Sequence, residues 1–330
     1  MKRRSLLGFA VAALAAPSSL LAQQRARVYR IGFLGSASPT PETVRISLDY
    51  FRLGLRERGW IEGQNIIIEQ RWAEGRVERF PELAAELVRL KVDVIAAATI
   101  DAVLGARKAT RTIPIVAALV RDPIQHGLVQ SFARPGGNVT GLTSEAGGFP
   151  LSVKTLEFLK QAVPAAVRVA VLVNPKSAVA RSQLNDLRTA GDTLKVELLP
   201  VEASTLDQLE PAFVRMRELR TDALLIPGDS MFFVHRVRVA ELAIKHRLPL
   251  GSSMFEAAPA GGLLGYQVDV SDNWRRAAGY VDRILKGANP AELPVEQPNK
   301  YQLILNVRTA RAIGVKLPQS LLLRADRVIE

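Results

Sequence analysis

The chain has 330 residues, with 44 Lys plus Arg against 32 Asp plus Glu, three histidines and no cysteine, for a formal net charge of +12. Without cysteine there is no disulfide framework, no thiol nucleophile, no thiolate metal site and no lipobox residue for a lipid anchor. The cations are scattered over helix faces, with no dense tract and no interleaved aromatics, so they read as a solvated surface and not as a nucleic-acid interface.

Residues 1–22, MKRRSLLGFAVAALAAPSSLLA, have a basic start, an apolar stretch over Leu6–Ala16 and a small-residue exit. That is the layout of a signal peptide, because the apolar stretch falls short of the roughly 20 residues a spanning helix needs. Cleavage is expected after Ala22, lowering the formal charge to about +9. Arg3-Arg4 fits a twin-arginine (Tat) route and equally a general secretory (Sec) one, and the expected destination is the periplasm. No later run is apolar enough to span a membrane.

The remaining length of about 300 residues favours two lobes over a single core. Val28–Leu34 reads as a strand entering the loop that holds Ser36, Ala37 and Ser38. Pro41 then opens a helix with Val44, Leu48, Phe51 and Leu55 on one face, ended by Gly59. Ile66–Ile68 is a strand and Pro81–Leu90 a helix. Val92–Ala97 and Ile113–Leu119 are short, unalternated apolar runs, which suit parallel strands buried on both faces. Between them Thr99 is placed to cap a helix that runs to Lys108. Arg121-Asp122-Pro123 opens a loop at a strand's carboxyl end, Pro135–Asn138 turns the chain, and Val139–Leu142 resumes as strand.

After Gly148 the alternation restarts. Helices are expected at Leu151–Val163, Ser177–Gly191, Leu206–Leu219 and Met231–His246; strands at Val167–Val173, Val196–Val201, Ala223–Ile226 and Leu263–Tyr266. A helix over Asn273–Lys286 and an extended return over Val295–Asn306 follow. Two similarly built α/β lobes with parallel sheets are the reading.

No nucleophile elbow, zinc-binding HExxH, P-loop or dinucleotide fingerprint occurs, and His235 and His246 lie too far apart on their expected helix to share a metal. No cofactor and no metal are expected. Ligands of open α/β sheets bind at the carboxyl ends of the strands. Those ends present Ser36, Ala37 and Ser38, then Thr99, Ile100 and Asp101 at a helix N-terminus suited to a carboxylate, then Asp122. From the second half come Asn174 and Asp229, with Phe232, Phe255 and Tyr266 as apolar walls. Asp229 or Asp122 is the expected partner of a ligand ammonium.

The blocks ARKAT..IPIV and GLV.S.ARPGGNVTG, with AIKHRLP, AGGLL, Tyr266, Ala278–Pro290, LPVEQP and LRADRVIE, carry a family resemblance across nearly the whole mature chain. It resembles the periplasmic substrate-binding proteins of ABC importers, and more narrowly the family that includes binding proteins for tryptophan and other aromatic amino acids. The resemblance implies a type I periplasmic binding protein: two Rossmann-like lobes joined by a three-crossing hinge. It places residues 27–146 with 269–294 in one lobe and 147–268 with 295–330 in the other. It further implies a monomer that captures a small organic ligand, such as an amino acid or aromatic compound, and delivers it to an inner-membrane ABC permease. The family has Gly after the tyrosine of the GGL..Y block, where this chain has Gln267. A sensory protein that presents its ligand to a membrane receptor is the alternative; an enzyme using Asp122, Asp229 and His126 is the third reading.

Overall fold

The computed structural model describes residues 27–146 and 150–330, apart from the Phe255 side chain; the expected signal peptide lies outside these residues. Twelve strands are formed among the described residues: β1 Tyr29–Gly35, β2 Ile66–Trp72, β3 Val94–Thr99, β4 Ile115–Val120, β5 Val139–Thr143, β6 Arg168–Val173, β7 Glu197–Glu202, β8 Ala223–Ile226, β9 Leu250–Ser252, β10 Leu264–Val268, β11 Tyr301–Asn306 and β12 Arg327–Ile329. The first sheet has the order β2-β1-β3-β4-β5 and is parallel throughout. The second has the order β12-β11-β10-β9-β8-β6-β7, with only β10 and β11 antiparallel. The two-sheet α/β expectation therefore holds.

The runs without alternation behave as their composition requires. All but the last residue of β3 are buried, because helices cover both faces. Phe80–Arg89 and Ile100–Ala109 pack on one face of the first sheet, around Leu83, Leu87 and Val103. Tyr50–Arg56 and Val270–Leu285 pack on the other, around Phe33, Phe51 and Trp274. Gly54 permits this second pair, since a Cβ there would lie 2.4 Å from the Arg275 carbonyl oxygen.

The chain passes between the sheets after β5, after β10 and before β11. The passing segments run side by side: Thr143 N–H donates to Glu296 O (3.0 Å), Glu296 N–H to Gly141 O (2.9 Å) and Asp269 N–H to Lys300 O (3.2 Å). Asp269 also caps the Val270–Leu285 helix, accepting from the Asp272 N–H.

Three expected helices are interrupted. The helix opened by Pro41 contains a π-helical turn over Arg45–Asp49. Leu206–Gln208 is a 3₁₀ turn before Leu209–Glu218. The helix expected over Met231–His246 splits into Ser230–Val234 and Arg236–Lys245, with His235 at the break, so His235 and His246 do not share one helix. β9 and β12, of three residues each, carry too few apolar positions to be read from sequence. No helix among the described residues is long and apolar enough to cross a membrane.

Gly54→Val should cost roughly 1–3 kcal/mol of unfolding free energy through overpacking against Val270–Leu285. Chemical denaturation read by tryptophan fluorescence would measure it, and an unchanged midpoint would contradict the close helix approach.

Candidate ligand-binding site

The carboxyl ends of the parallel strands meet across a cavity of ≈170 Å³, more than ten times the roughly 10–15 Å³ that one water occupies on the same measure. Its first-sheet wall is aromatic. Phe33 lies 5.1 Å from Trp72 and 4.7 Å from Trp274, ring centroid to centroid, and all three line the cavity. Trp72 can lie there because Gly35 has no Cβ; one would stand 2.3 Å from the indole. The π-helical turn brings Ile46 and Ser47 to the same wall.

The loop after β1 is pinned from below, with Ser36 O accepting from Gly75 N–H at 2.8 Å. Ser36 and Ala37 line the cavity. Ser38 does not; its carbonyl accepts from Thr40 N–H and turns the chain into the next helix. Thr99 occupies the N-cap position of Ile100–Ala109 but makes no capping bond, and its Oγ1 is buried without a partner. Its hydroxyl is thus left at the cavity instead of being consumed by the helix. Asp101 reaches across to the second half, accepting from Ala178 N–H (2.9 Å) and Ser177 Oγ (3.3 Å). Burial raises the Asp101 acid against the pull of these bonds. This helix end is therefore already occupied by the Asp101 carboxyl, where the sequence suggested an open carboxylate site.

Arg121, the residue after β4, is the one basic side chain lining the cavity among the described residues. Its side chain is 11% exposed. Nε donates to Glu145 Oε2 at 3.1 Å, Nη2 pairs with Asp186 of the second half, and Nη1 is buried without a partner. Burial raises the Glu145 acid, and the Arg121 charge opposes that rise.

Asp229 caps Ser230–Val234, accepting from Met231 N–H (2.8 Å) and Phe232 N–H (3.2 Å), while Asn174 Nδ2 donates to its other oxygen at 3.3 Å. Asp229 keeps some accessible surface and lines the cavity. Burial pushes its acid up to about 6; the Asp101 charge adds to the rise and the hydrogen bonds oppose it. Glu256, 5% exposed, also lines the cavity, and burial pushes it up to about 7.

Six expected residues thus meet at one cavity: Ser36, Ala37, Thr99, Ile100, Asp101 and Asp229. Asn174 is 4% exposed and stands behind Asp229, which it positions. Asp122 is exposed outside the cavity, with its carboxylate accepting from Gln125 N–H in the following turn. Phe232 is buried in the core of the second sheet, and the next residue, Phe233, lines the cavity instead. Tyr266 stacks on Tyr301 at 5.7 Å and packs against the opposite core; the alternation of β10 presents Gln267 to the cavity. Phe255 opens a 3₁₀ turn, and its side chain lies outside the description; its neighbours Met254 and Glu256 line the cavity. His126 also lies outside the cavity.

The family described as ABC transporter substrate binding protein matches residues 46–329. A tyrosine-binding protein of Clostridioides difficile (strain R20291) is 27% identical over 275 residues, spanning 82% of this chain and 78% of that protein. Among solved structures, a conserved domain protein from Vibrio cholerae superposes with a TM-score of 0.84 at 23% identity, covering 92% of this chain and all of that one. An ABC domain from Streptococcus pneumonia in complex with L-Trp gives 0.83 at 23% identity with the same coverage. The ligand-free, open structure of a substrate binding protein with adhesive properties from Clostridium difficile gives 0.63 at 21% identity, covering 92% of this chain and 99% of that one.

Because the folded-state acid of Asp229 lies above the usual aspartate range, the folded protein holds a proton there that the unfolded chain releases. Stability of the ligand-free protein should fall as pH rises from about 4 to about 6. Asp229→Asn keeps an oxygen to cap the helix and should flatten that part of the profile. Parallel slopes for the two proteins over this range would count against a buried, raised Asp229.

Proposed function

Since the chain belongs to the ABC transporter substrate binding protein family, we propose that it is the solute-capturing component of an ABC importer, binding an amino acid with an aromatic side chain. Proteins of this family bind solutes and do not transform them, and this chain is accordingly a binding protein and not an enzyme. The observation that carries the ligand class is the composition of the cavity. One guanidinium with a spare N–H and a set of buried carboxyls stand beside a wall of Phe33, Trp72 and Trp274.

The ligand carboxylate meets Arg121 Nη1 and Thr99 Oγ1, the two unpartnered groups on cavity-lining residues of the first half. Its ammonium meets Asp229, whose carboxylate form is stabilised by that new charge. The ring lies against the aromatic wall. The tyrosine-binding relative supports this choice.

Binding and closure are one event in this reading. The two halves, 27–146 with 269–294 and 147–268 with 295–330, move about the three side-by-side crossings. Contacts between halves support a closed arrangement: Asp101 to Ser177 and Ala178, Arg121 to Asp186, and Arg236 to Glu42. The closed form is what an inner-membrane permease would recognise, and the protein works as an exported monomer in the periplasm.

Mass spectrometry of ligand released from denatured, freshly purified protein should find an aromatic amino acid, and adding it back should raise the melting temperature. A released ligand without an ammonium group, together with no thermal shift from any aromatic amino acid, would sink the reading. Asp229→Ala should weaken binding by 2–5 kcal/mol, about 30-fold or more, as is usual when one partner of a desolvated charge pair is removed. Titration calorimetry showing unchanged affinity would remove Asp229 from the ammonium site.

A further inference from the structure

Thr99 Oγ1, Arg121 Nη1, Ser152 Oγ and Glu256 Oε2 are all buried without a hydrogen-bond partner, on residues that line the cavity. A buried polar atom left unpaired is costly, so these atoms mark where the polar groups of a bound ligand would be met. Thr99 and Arg121 are accounted for by the ligand carboxylate. Glu256 is not.

Glu256 lies in the turn after β9, one strand along the sheet from the β8 end that carries Asp229. The two carboxyls thus reach the cavity from the ends of adjacent strands. Their electrostatic surroundings also differ. Asp229 feels Asp101, whereas Glu256 feels Arg236 and Glu42. Those two pair with each other across the halves, and Arg236 also donates to the Phe233 carbonyl at 2.9 Å. The Glu256 carboxyl takes a hydrogen bond from its own backbone N–H, leaving Oε2 unpartnered. No charge is required of the ligand group that fills it, because a carboxyl oxygen accepts a hydrogen bond whether or not the acid is ionised.

Building on the amino-acid reading above, we infer that Glu256 is a specificity-determining residue. It accepts a hydrogen bond from an N–H or O–H on the ligand side chain and selects against side chains that are wholly apolar. The aromatic wall cannot make this distinction, since phenol, indole and benzene rings all pack on it. Glu256 makes it, because a hydrocarbon ring in that place leaves a dry carboxyl uncompensated.

The experiment is calorimetry on ligand-stripped protein with L-tyrosine, L-tryptophan and L-phenylalanine. Wild type should bind L-tyrosine or L-tryptophan at least about 10-fold more tightly than L-phenylalanine. Glu256→Gln keeps an acceptor of the same shape and should preserve that ratio, whereas Glu256→Leu should bring it within about 3-fold. A wild-type protein that binds L-phenylalanine equally well overturns the inference without any variant. A Leu variant with the wild-type ratio does so too, and both results leave the amino-acid reading standing. Wild type that binds none of the three overturns that reading and this inference together.

Discussion

A largely buried guanidinium held between two acids is the constraint on which the cavity depends. Arg121 sits between Glu145 of its own half and Asp186 of the other, with one N–H left over at the cavity. Desolvating such a group is costly unless every donor is met, so the arrangement is complete only when the halves are together and something accepts from Nη1. The acids around it press in the same direction. The Asp101 charge raises Asp229, and Glu256 is buried with an unpartnered oxygen. A ligand that supplies a carboxylate and a polar hydrogen-bearing group relieves these strains at once. That differential interaction is what a population shift toward the closed form requires.

The fold delivers these groups to one place for topological reasons. Parallel strands send every loop at their carboxyl ends to one edge, and the two sheets present those edges to each other. Small residues then allow large ones to enter. Gly35 makes room for Trp72, and Gly54 lets the helix bearing Trp274 lie against Tyr50–Arg56. That helix belongs to a chain segment that has already visited the second sheet through β10. The aromatic wall is thus assembled from residues more than two hundred positions apart, Phe33 and Trp274.

Where the cavity lining departs from the sequence expectation, the difference is mostly of one residue. Phe232 was chosen and Phe233 faces the cavity; a step of one residue turns about 100° around a helix. Tyr266 was chosen and Gln267 faces it; one step along a strand reverses the side. Asp122, expected as an ammonium partner at the strand end, instead caps the following turn, and its neighbour Arg121 lines the cavity. Trp72 was missed because the strand was ended at Ile68, before its polar residues Glu69, Gln70 and Arg71.

The sequence by itself determined the alternation of strands and helices, the parallel sheets and the likeness to ABC substrate-binding proteins. Those properties rest on local periodicity and on contiguous blocks that any reading of the chain retains. It also placed Ser36, Thr99, Asp101 and Asp229 at strand ends, since that position follows from the alternation alone. Which of two neighbouring side chains turns inward was decided only by the tertiary structure. So were the π-helical turn that brings Ile46 and Ser47 to the wall and the pairing of Arg121 with Asp186 across the halves. The physical reason is that orientation depends on the phase of each helix and strand against a partner surface, and charge pairing depends on which loops that packing brings together. Neither quantity is a property of a segment taken alone.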